Sequence, residues 1–199
     1  MGEKFDPSRW RRFEDPERLK ELPPAVIAEL LQLEGDETLI DYGAGTGIYT
    51  IALAPWLPRG SLIAVDDSAE MLEHLCEKLD APQHEGLRER INVVLSEHDH
   101  VPLPDGCAQR LVAINVLHHI YDEPEPLAEI ARLLAPGGVC VVIEFGAIDR
   151  PFGPPKDHVL PHDQVRAVVT GMGLAEVAFH EPGEPLRWHV AVVAQKPAA

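Results

Sequence analysis

Apolar residues recur along this chain at two spacings that take turns. From Pro24 the apolar positions Val26, Ile27, Leu30 and Leu31 return at helical intervals until Gly35, and a proline suits the first position of such a helix. Short apolar, β-branched runs then alternate with amphipathic stretches: strand 38–42, helix 46–57, strand 61–66, helix 68–80, strand 91–95, strand 110–116, helix 123–134 and strand 138–145. Strands that read as nearly continuous apolar runs between helices predict a parallel sheet covered on both faces. Ala135-Pro136-Gly137-Gly138 reads as the stop of the helix before it and the start of a strand, because Pro cannot continue a helix and Gly accepts the left-handed turn. A last helix at about 162–172 leads to two β-like runs, 174–179 and 186–194, joined by Glu181-Pro182-Gly183-Glu184-Pro185. A short connection between neighbouring runs makes a hairpin, so the seventh strand must run antiparallel to the sixth.

Composition narrows the setting. The 199 residues, 45% of them apolar, can bury a full core and are expected to form one domain. Residues 25–199 would be its body. Residues 1–24 form a polar, Pro-containing lead whose Phe5, Trp10 and Phe13 are read as a lid or substrate wall. A net charge of −16 disfavours nucleic acid and anionic membranes as partners. The Arg9-Trp10-Arg11-Arg12 cluster is too short to reverse that. No apolar run approaches a membrane span and the beginning is charged, so neither a membrane segment nor a signal peptide is expected and the location read from this is cytoplasmic. Cys76, Cys107 and Cys140 are far apart and lack metal spacing, with Cys76 and Cys140 placed in the core. His98, His100, His118 and His119 could meet at one sheet edge, yet such pairs are common and no metal site is expected.

The chemistry gathers at Leu39-Ile40-Asp41-Tyr42-Gly43-Ala44-Gly45-Thr46-Gly47, where an apolar run stops at an acid and turns through three alternate glycines. Glycines there supply positive φ and let the backbone approach a ligand. A dinucleotide loop needs G-x-G-x-x-G, and Ile48 stands where its third glycine would be. The next strand ends at Asp66-Asp67. In a doubly wound sheet an acid there faces the same crevice and can accept hydrogen bonds from ribose hydroxyls, while Ser68 caps the following helix by itself.

Glycines at G-x-G-x-G after an acid resemble motif I of the class I S-adenosylmethionine (SAM)-dependent methyltransferases. Further matches follow in that family's order, and they resemble its quinone-biosynthesis subgroup: Asp66-Asp67-Ser68-Ala69-Glu70-Met71-Leu72, Pro102-Leu103-Pro104-Asp105, Val116-Leu117-His118-His119 and Leu134-Ala135-Pro136-Gly137-Gly138. The resemblance implies a Rossmann-like α/β fold with a doubly wound seven-stranded sheet, order 3-2-1-4-5-7-6. It implies that Gly43, Ala44, Gly45, Thr46 and Gly47 pack against the amino acid half of SAM with Asp41 below. Asp66, with Asp67 beside it, would hold the ribose. Met71 would lie on adenine or in the helix core, and Glu97, His98 and Asp99 would read adenine, with Glu97 or Asp99 as the acid. Asn115 would line the methionine end.

Methyl transfer from SAM, leaving S-adenosylhomocysteine (SAH), to a small, partly apolar acceptor is therefore expected. The alternatives are a non-catalytic binding protein of the same fold and an NAD-type oxidoreductase. A homodimer is compatible with it. In-line displacement needs alignment first, and a general base only if the nucleophile starts protonated. Candidate groups are His118, His119, Tyr121 and Glu144, with His118 favoured as facing the substrate. Paired cysteines of an arsenite methyltransferase and an Asn-Pro-Pro-Tyr type loop are both lacking.

Overall fold

The computed structural model describes residues 10–11, 13–97, 100–151 and 153–198. Seven strands form one sheet: β1 (Thr38–Tyr42), β2 (Ser61–Asp66), β3 (Ile91–Leu95), β4 (Ala108–Ile114), β5 (Leu134–Phe145), β6 (Ala175–His180) and β7 (His189–Gln195). Their order is β3-β2-β1-β4-β5-β7-β6. The first five pair in parallel, and β7 lies antiparallel between β5 and β6.

Strand periodicity divides the core. On one face Leu39, Val112, Ile114, Val141, Ile143, Ala191 and Val193 pack under α1 (Glu17–Glu21), α2 (Pro24–Leu30), α3 (Ile48–Leu53) and α4 (Ala69–Leu79). Alternate residues Ile40, Tyr42, Leu111, Ala113, Cys140, Val142, Val190 and Val192 face the other way. There they meet α5 (Leu117–Ile120), α6 (Pro124–Leu133) and α7 (His162–Gly171). Because side chains alternate with period two, both faces of each central strand are apolar and both are covered.

Several boundaries differ from the sequence expectation for local reasons. The helix expected at 46–57 is α3 followed by a 3-10 turn at Ala54–Trp56, where Pro55 removes a helical N–H. β4 stops at Ile114 because Asn115 takes a positive φ of 56° and residues 117–120 turn into α5. The helix ends at Leu133 and the strand follows as expected, but β5 starts at Leu134 and not at 138: Leu134 pairs with Ala108 across an irregular register, and Gly137 and Gly138 exchange backbone hydrogen bonds with Lys196. Cys140 is buried as expected, whereas Cys76 is only partly so. Among the described residues, no helix is long and apolar enough to cross a membrane.

Candidate functional site

The carboxyl ends of β1, β2 and β4 open into a cavity of about 270 Å³. The loop after β1 forms its floor. Gly43 and Ala44 donate to the Val65 carbonyl at 2.8 and 2.9 Å, and Gly43, Gly45 and Gly47 all take left-handed φ, of 73°, 55° and 76°. A side chain at Gly47 would strike Leu75 at 2.3 Å, whereas one at Gly45 would meet nothing within 4 Å. Gly45 therefore leaves open space toward the cavity it lines.

Asp66, at the end of β2, ties this loop to the next helix. Its carboxylate accepts from the Gly45 N–H at 2.7 Å and from the Ser68 N–H at 2.9 Å. Burial pushes its pKa up to about 6 against the pull of those N–H groups. Ser68 caps α4 itself, accepting from the Met71 N–H at 3.4 Å. Asp41 is more enclosed: its side-chain hydrogen bond is from the Thr50 hydroxyl at 2.6 Å, and burial raises its pKa to about 6. Met71 and Asp67 complete this end of the wall, Met71 buried and Asp67 exposed at its rim.

At the far end, Asn115 is held by its N–H on the Ile143 carbonyl at 2.7 Å, and its buried side-chain oxygen has no hydrogen-bond partner. The two histidines that follow are placed the opposite way round from expectation. Residues 117–120 are a helical turn, which points adjacent side chains about 100° apart. His118 turns away to the buried Glu144, its Nδ1 at 2.8 Å from the carboxylate, and it does not line the cavity; His119 does. Glu144 also accepts the Leu117 N–H at 2.6 Å, so it holds the start of the turn. Burial, reinforced by neighbouring His118, lowers the pKa of His119, with Glu144 and Asp67 opposing. Tyr121 packs on the apolar core.

The adenine-reading segment is only partly brought here. Glu97 is exposed, bridges to His100, and is not in the cavity wall, where Ser96 stands instead. His98 and Asp99 lie outside the described residues. From the N-terminal lead, Phe13 and Arg18 reach the cavity, and Trp10 packs in a tilted ring contact against His74 of α4 with centroids 4.1 Å apart. Glu14 clasps this lead to the glycine loop and to α4, accepting from the Thr46 hydroxyl and pairing with Lys78 at 2.8 Å. Phe5 lies outside the described residues. Sequence reasoning missed Arg18, Ser96 and Tyr49. The polar lead before the first core helix was the signal available for Arg18. Among the described residues, no group of three or more metal-ligating side chains converges.

The open space at Gly45, the orphaned Asn115 oxygen and the carboxylate on the loop suit a ligand with an amino acid at one end and a nucleoside at the other. Known proteins of similar sequence and fold are methyltransferases. A family model described as a methyltransferase domain matches residues 40–142. A trans-aconitate 2-methyltransferase of Pseudomonas paraeruginosa is 33% identical over 138 residues, 67% of this chain and 44% of that protein. A ubiquinone/menaquinone biosynthesis C-methyltransferase of Geobacter is 26% identical over 138 residues, 69% of this chain and 52% of that one. The chain thus spans about half the length, or less, of such curated relatives. Among solved structures, a SAM-dependent methyltransferase from Aquifex aeolicus superposes with a TM-score of 0.86 at 25% identity, covering 96% of this chain and 99% of that one.

Proposed function

The chain belongs to the SAM-dependent methyltransferases, and from that membership we propose that it methylates a small, partly apolar acceptor by in-line displacement. The observation that carries this is the crevice running from Asp66, through the Gly45 turn, to the unpartnered oxygen of Asn115. When bound, SAM supplies an electrophilic methyl group on a sulfonium. Asp66 would accept from ribose hydroxyls, with Asp67 beside it. Met71 and Ser96 would wall the base, and the Gly43–Gly47 backbone with Asp41 beneath would take the amino acid end. The Asn115 oxygen would accept from its ammonium group. The names of the aconitate and quinone relatives support a small-molecule acceptor.

His119 would face the acceptor. Its lowered pKa keeps the imidazole neutral near pH 7, ready to take a proton from an acceptor that must lose one. Glu144 and His118 would position the turn that carries it. Phe13, Arg18 and the Glu14 clasp would roof the cavity and keep water from it.

Titration calorimetry tests the assignment. Micromolar binding of SAH, about −8 kcal/mol, is expected, with no heat from NAD. Absence of SAH binding would sink the reading, and heat with neither ligand would mark a fold that has lost its cofactor. With an acceptor in hand, His119→Ala should lower kcat/KM by about 10²–10⁴ at unchanged SAH affinity, the range of a general base. The acid limb of the pH profile should fall below the usual imidazole range. A larger loss in His118→Ala than in His119→Ala would reverse the two roles.

A further inference from the structure

α1 carries one cavity-facing group to which the cofactor reading gives no ligand. Arg18 lines the wall between Phe13 and Tyr49, with its guanidinium carbon 5.1 Å from the centroid of the Phe13 ring. Its Nε is buried without a hydrogen-bond partner, and no carboxylate among the described residues pairs with it. Arg90 and Arg150 also bury an unpartnered Nε, but among the other partly buried arginines the guanidinium has acceptors within the protein. Arg90 donates to the Ala54 and Leu57 carbonyls, Arg110 to those of Leu31 and Gln32, and Arg150 to those of Gly146 and Pro154. Arg132 is gripped by Glu129 and Asp105.

Burial drives the Arg18 pKa down, and Tyr49, Asp15 and Glu14 only partly restore it. A buried cation without a counter-ion is unfavourable. Nor does mobility excuse it, for the segment is pinned. The Tyr49 hydroxyl donates to the Arg18 carbonyl at 3.1 Å, Leu22 at the end of α1 is fully buried, and Glu14 is clasped to Thr46 and Lys78. A guanidinium that lines the cavity over an aromatic face, with the Tyr49 hydroxyl beside it and no carboxylate in an ion pair with it, has the planar fork that suits a carboxylate.

We propose that Arg18 is the carboxylate anchor of this cavity. The inference rests on the methyltransferase reading, and the carboxylate has two possible sources there: the methionine end of the cofactor, or the acceptor. Arg18→Met keeps the stem and the contact with Phe13 while deleting the fork, and Arg18→Lys keeps the charge. Each is titrated with SAH and with 5′-methylthioadenosine, which has the same thioether and nucleoside but no carboxylate. The SAH complex is then titrated with tricarballylate as a simple acid probe.

SAH binding weakened about 10- to 100-fold in Arg18→Met, the range for a charge-assisted hydrogen bond, with methylthioadenosine unchanged, assigns the cofactor's carboxylate. Unchanged SAH, with tricarballylate bound by the wild-type complex and lost in the variant, assigns the acceptor. In either case Arg18→Met should melt no lower than wild type without ligand, since it removes an unpaired cation, and Arg18→Lys should recover part of the affinity. A lower melting temperature in both variants, equal weakening of both nucleosides, or no ligand depending on Arg18 would each overturn the anchor. Wild-type protein that bound neither nucleoside would instead overturn the methyltransferase reading beneath it.

Discussion

Both ends of β1 bury a carboxylate, and the protein treats them in opposite ways. Glu37, just before the strand, accepts N–H groups of Glu34, Gly35 and Asp36 at 2.8, 2.9 and 3.2 Å and stands 3.4 Å from Arg110. Burial pushes its pKa up, but the N–H groups and Arg110 more than reverse that, and it ends below the usual carboxylate range. Asp41, near the other end, has one hydroxyl donor and is pushed up to about 6. Asp66 is raised likewise, whereas Glu129, held first by Arg132 and also by the Val101 N–H, is lowered. Glu37 and Glu129, which serve the fold, are held by several donors and an arginine. At the cavity, negative charge on Asp41 and Asp66 and positive charge on Arg18 are left underpaid, which is how a binding site differs from a structural ion pair.

The contrast can be broken most directly at Glu37. Glu37→Ala leaves three N–H groups and Arg110 without a partner and should cost about 3–5 kcal/mol of stability in urea unfolding. A loss below about 1 kcal/mol would erase the distinction. Asp66→Ala should do the reverse, weakening SAH by roughly 1.5–3 kcal/mol while changing ligand-free stability little. Equal losses in both measurements would make Asp66 a structural tie between Gly45 and Ser68. In the same series SAH affinity should fall as pH drops below about 6, because protonated Asp66 accepts fewer hydrogen bonds.

Asp41→Asn is the gentlest test. A carboxyl whose folded pKa is raised above its unfolded value destabilises the fold when ionised, so removing the charge should help most above pH 6. We expect a gain of about 1–2 kcal/mol at pH 8 that shrinks through pH 6 and is gone near pH 4. A gain independent of pH, or a loss at pH 8, would mean that Asp41 is better satisfied than its single hydroxyl partner implies.

The sheet was legible because each central strand carries apolar residues on both faces, as in Val139–Ile143, and because the turn chemistry of residues 181–185 lies between the last two strands. The glycine loop was legible too, since all three left-handed positions are glycines. What the chain hid depends on contacts far apart in sequence. V-L-H-H reads as a strand end until Glu144, from β5, takes the Leu117 N–H and starts a helical turn, and that turn exchanges the directions of His118 and His119. Pro136 and Gly137 look like punctuation ahead of a strand, yet Lys196 pairs with the glycines and draws the segment into β5 itself. Arg18 and Phe13 lie well before the glycine motif, and only the packing of α1 brings them over it. Adjacency created by tertiary contact leaves no periodic mark.

The place of β7 has a consequence for how this molecule is made. Its seven residues fill the slot between β5 and β6, pairing with β5 along Val139–Phe145. A ribosome that has delivered residues 1–180 has therefore released six strands but not the one that joins the sixth to the others. Until residue 195 emerges, the long apolar β5 presents an unpaired edge, the kind of surface that recruits chaperones or other nascent chains. Its sheet closes from the inside and late, so slow translation or a stop codon between residues 180 and 189 should send this protein to aggregation sooner than an equally short loss within the 1–24 lead.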